Sequence, residues 1–227
     1  MKRILIVAAH PDDEILGCGG TISKYRQKNC EIKVLFLGEG STCRFEDSKS
    51  IEAQDAIKRR NECAVFALKT LNVDNFEFYN LPCGKLDQIP LLSINKIIEK
   101  TINEFKPDTV FTHAGVDSNN DHQIVLKSTI IATRPCSNHI VNRVFSYEIL
   151  SSSEWGFTQA FEPNYFIGFS KFNLEQKWEA MNCYKTEVGQ FPFPRSKKTI
   201  FSLAELRGSQ AGMEYCEAFQ LVREFEK

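Results

Sequence analysis

A short apolar segment near the start of the chain ends abruptly in charged residues. Ile4–Ala8 is continuous and apolar, which is typical of a strand buried on both faces of a sheet. The next six residues, Ala9–Glu14, include one histidine, three carboxylic acids and a proline. Charges at the end of a buried strand are costly unless they have a partner. We therefore expect a metal cation at this turn, with a spare carboxylate that can help to activate water.

Strand-like and helical segments alternate along the chain. The predicted strands are Lys2–Ala9, Glu31–Leu37, Asn75–Leu81, Asp108–His113, Val141–Leu150 and Tyr165–Phe169. The predicted helices are Glu14–Lys28, Ser50–Leu71, Leu91–Phe105, Asp121–Thr133, Leu174–Tyr184 and Ser202–Arg207. This alternation predicts an α/β protein, a single-domain Rossmann-like three-layer sandwich with a mostly parallel sheet, over residues 1–227.

The composition limits the kinds of molecule that the protein is expected to bind. The chain has a net charge of −1, so neither nucleic acid nor an anionic membrane surface is expected. No apolar run reaches transmembrane length, and no signal peptide precedes the first strand. The eight cysteines include no CxxC pair, which favours free thiols and a cytoplasmic location. The oligomeric state stays open, with a homo-oligomer as one alternative.

A second polar segment follows the fourth predicted strand. Thr112–His122 holds two further histidines, and the carboxyl ends of parallel strands meet at one edge of a sheet. This loop and the first turn should therefore lie together. His10, Asp13 and His122 can supply the three protein ligands of a catalytic zinc. Because Asp12 and Asp13 are adjacent, one can bind the metal while the other accepts a proton from water.

The two loops resemble those of the zinc-dependent de-N-acetylases of the PIG-L (LmbE-like) family. The AHPDDE turn at Ala9–Glu14 and the Asp121-His122 pair are the strongest matches. The weaker matches are Gly40–Arg44, Arg59 with Glu62, Ser151–Trp155, Phe193–Ser196 and Arg207-Gly208. The resemblance implies a hydrolase that removes an N-acetyl or other N-acyl group from a small molecule containing an amino sugar, such as an N-acetylglucosamine conjugate.

The resemblance also assigns roles to individual residues. It implies that His10, Asp13 and His122 bind Zn²⁺ and that Asp12 is the general base. Asp121 would orient a catalytic group or a metal ligand. The substrate contacts implied are Arg44 and Arg195. Nitrogen and oxygen ligands suit several divalent ions, so Fe²⁺ is an alternative to Zn²⁺.

The second loop departs from the family pattern. Well-known members have His-Pro-Asp-His there, and this chain has Asn119 in place of the first histidine. Asparagine can donate a hydrogen bond to an oxyanion but cannot act as a general acid. Either Asp12 returns its proton to the leaving amine or His113 protonates it. We favour Asp12, because one group can be base and then acid in a single cycle. A second departure is Phe193, where a histidine is expected.

Other interpretations remain open at this point. A dinucleotide-binding fingerprint is imitated by Gly17, Gly19, Gly20 and Glu39. The spacing of these glycines does not match that fingerprint. A catalytically weak metal-binding module, or a nucleotide- or sugar-binding Rossmann-like module, is the alternative function. Asp121 could simply cap the fourth helix, and His113 could be a hydrogen-bonded histidine at a strand end.

Overall fold

One sheet of seven strands carries the predicted site. The computed structural model describes residues 1–136 and 138–226, so Ser137 and Lys227, where the predicted domain ends, lie outside the described residues. The strands are β1 (Arg3–Ala8), β2 (Glu31–Gly38), β3 (Asn75–Leu81), β4 (Thr109–His113), β5 (Arg143–Tyr147), β6 (Tyr165–Phe169) and β7 (Tyr215–Glu224). Their order is β3-β2-β1-β4-β5-β7-β6. The pairs among β1 to β5 are parallel and β7 is antiparallel to both neighbours, which confirms a mostly parallel sheet.

Helices cover both faces of this sheet. They are α1 (Asp13–Gln27), α2 (Ile51–Thr70), α3 (Leu91–Phe105), α4 (Asn120–Ala132), α5 (Lys171–Met181) and α6 (Lys197–Gln210). Alternate β1 side chains enter opposite cores: Ile4 and Ile6 pack with α1, α2, α5 and α6, whereas Leu5 and Val7 pack with α3 and α4. The predicted three-layer arrangement is therefore confirmed. No helix in the described part of the chain is long and apolar enough to cross a membrane.

Serine caps set two helix starts that the apolar pattern placed too late. Helix α5 begins at Lys171 because Ser170 and Asn173 form a reciprocal capping box. Helix α6 begins at Lys197 because the Ser196 side chain accepts a hydrogen bond from the backbone N–H of Thr199. Hydrophobic periodicity alone does not detect these polar first turns.

The strand order brings two distant loops together. β1 and β4 are neighbours, and the connection from β1 leads to β2 on one side whereas the connection from β4 leads to β5 on the other. This arrangement creates a switch point, where open α/β sheets bind their ligands at the carboxyl ends of the strands. The turn after β1 and the loop after β4 flank this point.

Glycines in α1 allow the helix to lie close to the sheet and to its neighbours. A Cβ atom added at Gly17 would overlap the ring of Tyr147, and one at Gly20 would overlap the ring of Phe169. Both glycines lie inside α1, after its first turn. Their role is therefore close packing, and they do not form the phosphate-binding turn of a dinucleotide site.

We expect Gly17→Ala to lower the free energy of unfolding by about 1–3 kcal/mol, because the added methyl group overpacks the Tyr147 contact. Urea denaturation followed by circular dichroism measures the change. Gly115→Ala is the control, since the nearest atom to its added Cβ is the end of the Leu126 side chain at 3.1 Å. Equal stabilities of the two variants would contradict a close approach of α1.

Candidate metal centre and active-site cavity

A cavity of about 290 Å³ opens where β1 and β4 end. The turn after β1, the loops after β2 and β3, and the loop that leads into α4 all contribute to its lining. Arg60 of α2 and Arg195, which precedes α6, also line it. The cavity therefore collects residues from across the sequence at the switch point of the sheet.

Three predicted ligands converge on one side of this cavity. The potential ligand atoms of His10, Asp13 and His122 all lie within 4.8 Å of one another, and all three residues are buried. Asp13 Oδ2 is 3.5 Å from His122 Nε2 and 3.7 Å from His10 Nδ1. Ligands that each lie about 2 Å from a shared ion have such separations. Two imidazole nitrogens and a carboxylate thus form a donor set that fits a divalent metal.

Each of the two histidines has a carboxylate on its other ring nitrogen. His10 Nε2 is 3.0 Å from Asp121 Oδ2, and His122 Nδ1 is 3.1 Å from Asp117 Oδ1. Burial would raise the pKa of both aspartates, but hydrogen bonds from the histidines lower it below the usual value. Metal-binding histidines characteristically have such partners, which fix the tautomer and the orientation of the ring.

A second group of potential ligands overlaps with the first. His10, Cys83 and Asp121 also bring their ligand atoms within 4.8 Å of one another. However, His10 Nε2 and Asp121 Oδ2 contact each other, and Asp121 Oδ2 also accepts a hydrogen bond from the Gly84 N–H at 2.6 Å. Because these donors are already engaged, the group containing Asp13 fits a metal better.

Asp12 lies beside the candidate ligands in an unusual backbone conformation. Its φ of 120° falls in a region that L-residues rarely adopt. Its Oδ2 accepts a hydrogen bond from Arg195 at 2.7 Å and forms an ion pair with Arg60 at 2.9 Å, whereas Oδ1 has no partner among the described residues. Burial raises the pKa of Asp12, and the two arginines oppose that shift. The carboxylate thus lines the cavity with one oxygen held and the other available.

Glu187 binds the arginines that surround Asp12. Arg44 donates two hydrogen bonds to its carboxylate, at 2.7 and 2.9 Å, and Arg195 donates one at 3.0 Å. Arg60 also pairs with it. Burial would raise the pKa of Glu187, but the arginines lower it to about 2. The two arginines implied as substrate contacts therefore line the cavity while held by this carboxylate.

Asn119 is the N-cap of α4. Its Oδ1 accepts a hydrogen bond from the Asp121 N–H at 2.9 Å, so the alternative that Asp121 caps this helix is wrong. The Asn119 side-chain nitrogen has no hydrogen-bond partner within the described part of the chain, and the residue lines the cavity. The side chain is thus held by its oxygen and retains a free N–H donor.

His113 lies next to the candidate ligands but does not line the cavity. It is fully buried, its ring stacks on that of His122, and its Nε2 accepts a hydrogen bond from the Ala9 N–H at 2.9 Å. Burial lowers its pKa well below the usual value. A swing into the cavity would break the Ala9 contact. This is the geometry of a hydrogen-bonded histidine at a strand end, which was the non-catalytic alternative considered from the sequence.

The sequence-based interpretation assigns no role to three charged residues at the site: Arg60, Glu187 and Asp117, which is the partner of His122. Arg60 could have been found, because it follows Ala53 by seven residues and precedes Ala64 by four, which is the spacing of the buried face of α2. The family resemblance instead highlighted its exposed neighbour, Arg59. Glu187 lies in an irregular segment, where no periodic signal exists.

The end of β2 also lacks the features of a dinucleotide site. The Glu39 carboxylate accepts hydrogen bonds from the backbone N–H groups of Ser41, Thr42 and Cys83, at 2.6, 2.9 and 2.8 Å. An acidic residue at this position would have to be free for a ribose hydroxyl. Glu39 instead organises the loops around the cavity.

We expect Glu187→Gln to lower the free energy of unfolding by about 3 kcal/mol at pH 7, because three arginines lose their shared carboxylate. The wild-type carboxyl group titrates near 2 when folded and near its ordinary value of 4.5 when unfolded. Its contribution is therefore complete above pH 4.5 and is lost as the pH falls toward 2.

Urea denaturation of both proteins at pH 7, 5 and 4 measures this difference, which should shrink only at the lowest of these pH values. Lys197 and Glu175 form an exposed ion pair, so Glu175→Gln is the control and should change stability by about 0–1 kcal/mol. A difference independent of pH would contradict the charge pairing of Glu187.

Comparisons with known proteins identify the family. The family model described as PIG-L, GlcNAc-PI de-N-acetylase, matches residues 5–133. A diacetylchitobiose deacetylase of Thermococcus kodakarensis is 22% identical over 233 residues, which cover 98% of this chain and 84% of that protein.

Solved structures share the fold. The N,N'-diacetylchitobiose deacetylase from Pyrococcus horikoshii has a TM-score of 0.78 and 20% identity, over 97% of this chain and 84% of the other. GalB, the 4-carboxy-2-hydroxymuconate hydratase from Pseudomonas putida KT2440, has a TM-score of 0.77 and 20% identity, over 100% and 98%. Because these neighbours include a hydratase, the fold alone does not define the reaction. Because the family model matches more than half of this chain, the chain belongs to the PIG-L family of de-N-acetylases.

Proposed function

We propose that this protein is a metal-dependent N-deacetylase that hydrolyses the acetamide, or another N-acyl amide, of a small molecule containing an amino sugar. The observation that carries the proposal is the placement of His10, Asp13 and His122 beside the buried carboxylate of Asp12 in one cavity. Membership of the PIG-L family supports the reaction class, and the diacetylchitobiose deacetylase relative supports the type of substrate.

The cavity suits a group the size of one sugar. Its volume of about 290 Å³ is near the lower end of the range for small-molecule pockets, about 300–1,000 Å³. Trp155 lines it and is half exposed, so an aromatic side chain is available to pack against a sugar ring. Arg44 and Arg195 provide hydrogen-bond donors on the same lining.

His10, Asp13 and His122 would hold the metal, for which we favour Zn²⁺ over Fe²⁺ or another divalent ion. When bound, such an ion polarises an amide carbonyl and lowers the pKa of water. Asp121 and Asp117 keep the two imidazoles oriented, since each occupies the ring nitrogen that faces away from Asp13.

Asp12 moves the proton. Its Oδ1 accepts a proton from the attacking water while Arg60 and Arg195 hold Oδ2. The water oxygen bonds to the carbonyl carbon, and the Asn119 N–H donates a hydrogen bond to the developing oxyanion. The C–N bond then breaks, and Asp12 returns the proton to the leaving nitrogen. The products are a free amine and a carboxylic acid, which is acetate for an acetamide.

Amine release from N-acetylated sugars tests this function. We expect the zinc-loaded protein to release amine from at least one member of a panel comprising N-acetylglucosamine, diacetylchitobiose, N-acetylglucosaminyl-inositol and N-acetylglucosamine sugar nucleotides, measured by mass spectrometry. Asp12→Asn should lower kcat by about 10²–10⁴-fold, because it removes the proton acceptor.

Metal content distinguishes this effect from a damaged site. Asp12→Asn should retain bound zinc, whereas His10→Ala should lose both zinc and activity, since His10 is one of the three ligands. Full turnover by Asp12→Asn would exclude Asp12 as the base. An absence of amine release across the panel, with zinc bound, would favour a metal-binding module over an enzyme.

The oxyanion contact can be tested at Asn119. We expect Asn119→Asp to lower kcat by about 10²–10³-fold, because aspartate still caps α4 but has no N–H donor. Asn119→His restores a donor and should recover most of the rate. If Asn119→Asp is fully active while His113→Ala is not, the contact belongs to His113 instead. Circular dichroism on each variant excludes unfolding as the cause.

A further inference from the structure

Two cysteine side chains meet at the rim of the cavity. Cys43 lies in the short 3-10 helix Thr42–Arg44 and Cys83 lies in the loop after β3. Both line the cavity, and their sulfur atoms are 3.0 Å apart. A disulfide bond is about 2.05 Å long, so an approach of about 1 Å would join them. Within residues 1–136 and 138–226, no other two cysteine sulfurs are in hydrogen-bond contact.

The two thiols differ in accessibility. Cys43 is exposed and Cys83 is buried. The Cys83 backbone is fixed, because its N–H donates to Glu39 Oε1 at 2.8 Å. An exposed thiol can reach an external disulfide, and a buried neighbour can then displace the group that was attached. The pair therefore has the geometry of an attacking and a resolving cysteine.

We propose that Cys43 and Cys83 form a reversible dithiol–disulfide site whose reaction partner is a small disulfide, such as glutathione disulfide. The Cys43 thiolate attacks one sulfur of this oxidant, and cleavage of its S–S bond releases one glutathione. The Cys83 thiolate then attacks the Cys43 sulfur and displaces the second glutathione. The two cysteines lose two electrons and two protons, which reduce glutathione disulfide to two glutathione thiols.

The new bond affects the candidate active site through the residue that follows each cysteine in the chain. Arg44 follows Cys43 and pairs with Glu187. Gly84 follows Cys83, and its N–H donates to the Asp121 carboxylate that contacts His10. Drawing the sulfurs together therefore shifts the arginine cluster relative to the metal ligands. Because a misplacement of about 1 Å can cost about 10²-fold in rate, the disulfide form deacetylates more slowly.

Thiol mapping tests the site without reference to catalysis. The reduced 227-residue protein is equilibrated in buffers of glutathione and glutathione disulfide, quenched by alkylation, and analysed by intact mass and peptide mapping. We expect the Cys43 peptide to be linked to the Cys83 peptide. Glutathione retained on Cys43 should be at least about tenfold lower than in Cys83→Ser, because the neighbouring thiol resolves the mixed disulfide.

Single-cysteine variants provide the controls. Cys83→Ser should stop at glutathione attached to Cys43, and Cys43→Ser should leave the buried Cys83 unmodified. Cys136→Ser removes an exposed cysteine remote from the cavity lining, and it should form the Cys43–Cys83 link as the wild type does. Equal retention of glutathione on Cys43 in the wild type and in Cys83→Ser, with no linked peptide, would overturn the proposal.

Activity of the linked protein tests the coupling, and only this measurement rests on the proposed deacetylase function. We expect the oxidised wild type to lose at least about threefold in kcat/KM and to regain it after reduction, whereas Cys43→Ser, which forms neither the link nor the mixed disulfide, should not respond to the same treatment. Unchanged kcat/KM in fully linked protein would exclude an effect on the active site. If none of the N-acetylated sugars in the panel is hydrolysed, the proposed function is refuted, whereas the result of the thiol mapping remains valid.

Discussion

The cost of burying charge governs this structure. Five carboxylates are nearly inaccessible in the segments that follow β1 and β4: Asp12, Asp13, Glu14, Asp117 and Asp121. Asp12 is held by arginines, Asp117 and Asp121 are held by histidines, and Glu14 accepts hydrogen bonds from the Tyr184 hydroxyl and the Asp12 N–H. Asp13 Oδ2 accepts a hydrogen bond from the His10 backbone N–H at 2.8 Å and also faces three imidazole nitrogens at 3.5–3.7 Å. The surrounding loops are arranged so that these charges remain compensated, and the donor set around Asp13 suits a divalent cation.

The candidate ligands could be predicted from sequence because each lies in the loop or the first helical turn that follows a strand of the parallel sheet. The apolar run before His10 and the parallel-sheet topology together brought His122 to the first turn, although the two residues are far apart in the chain. Arg60 and Glu187 were missed for a different reason. Their contacts depend on how α2 and an irregular segment pack, and local patterns carry no information on such long-range pairing. The starts of α5 and α6 were missed because polar caps, not apolar periodicity, determine them.

The family pattern and this chain differ mainly around the cavity, not at the ligands. The AHPDDE turn and Asp121-His122 are intact, whereas Asn119 replaces a histidine and Phe193 replaces another. The Asn119 side-chain oxygen caps α4, and the residue lines the cavity. Cys43 and Cys83 line the same cavity as Asn119.

The strained backbone at Asp12 determines at which stage the carboxylate is positioned. A non-glycine residue held at a φ of 120° costs about 1–3 kcal/mol, which the rest of the fold must offset. Arg60, Arg195 and the Glu14 carboxylate, which accepts the Asp12 N–H, hold the residue there. This strain energy is offset once, when the polypeptide folds. The carboxylate then needs no rearrangement when a substrate arrives, so the turn works as a rigid template that is fully assembled before each encounter.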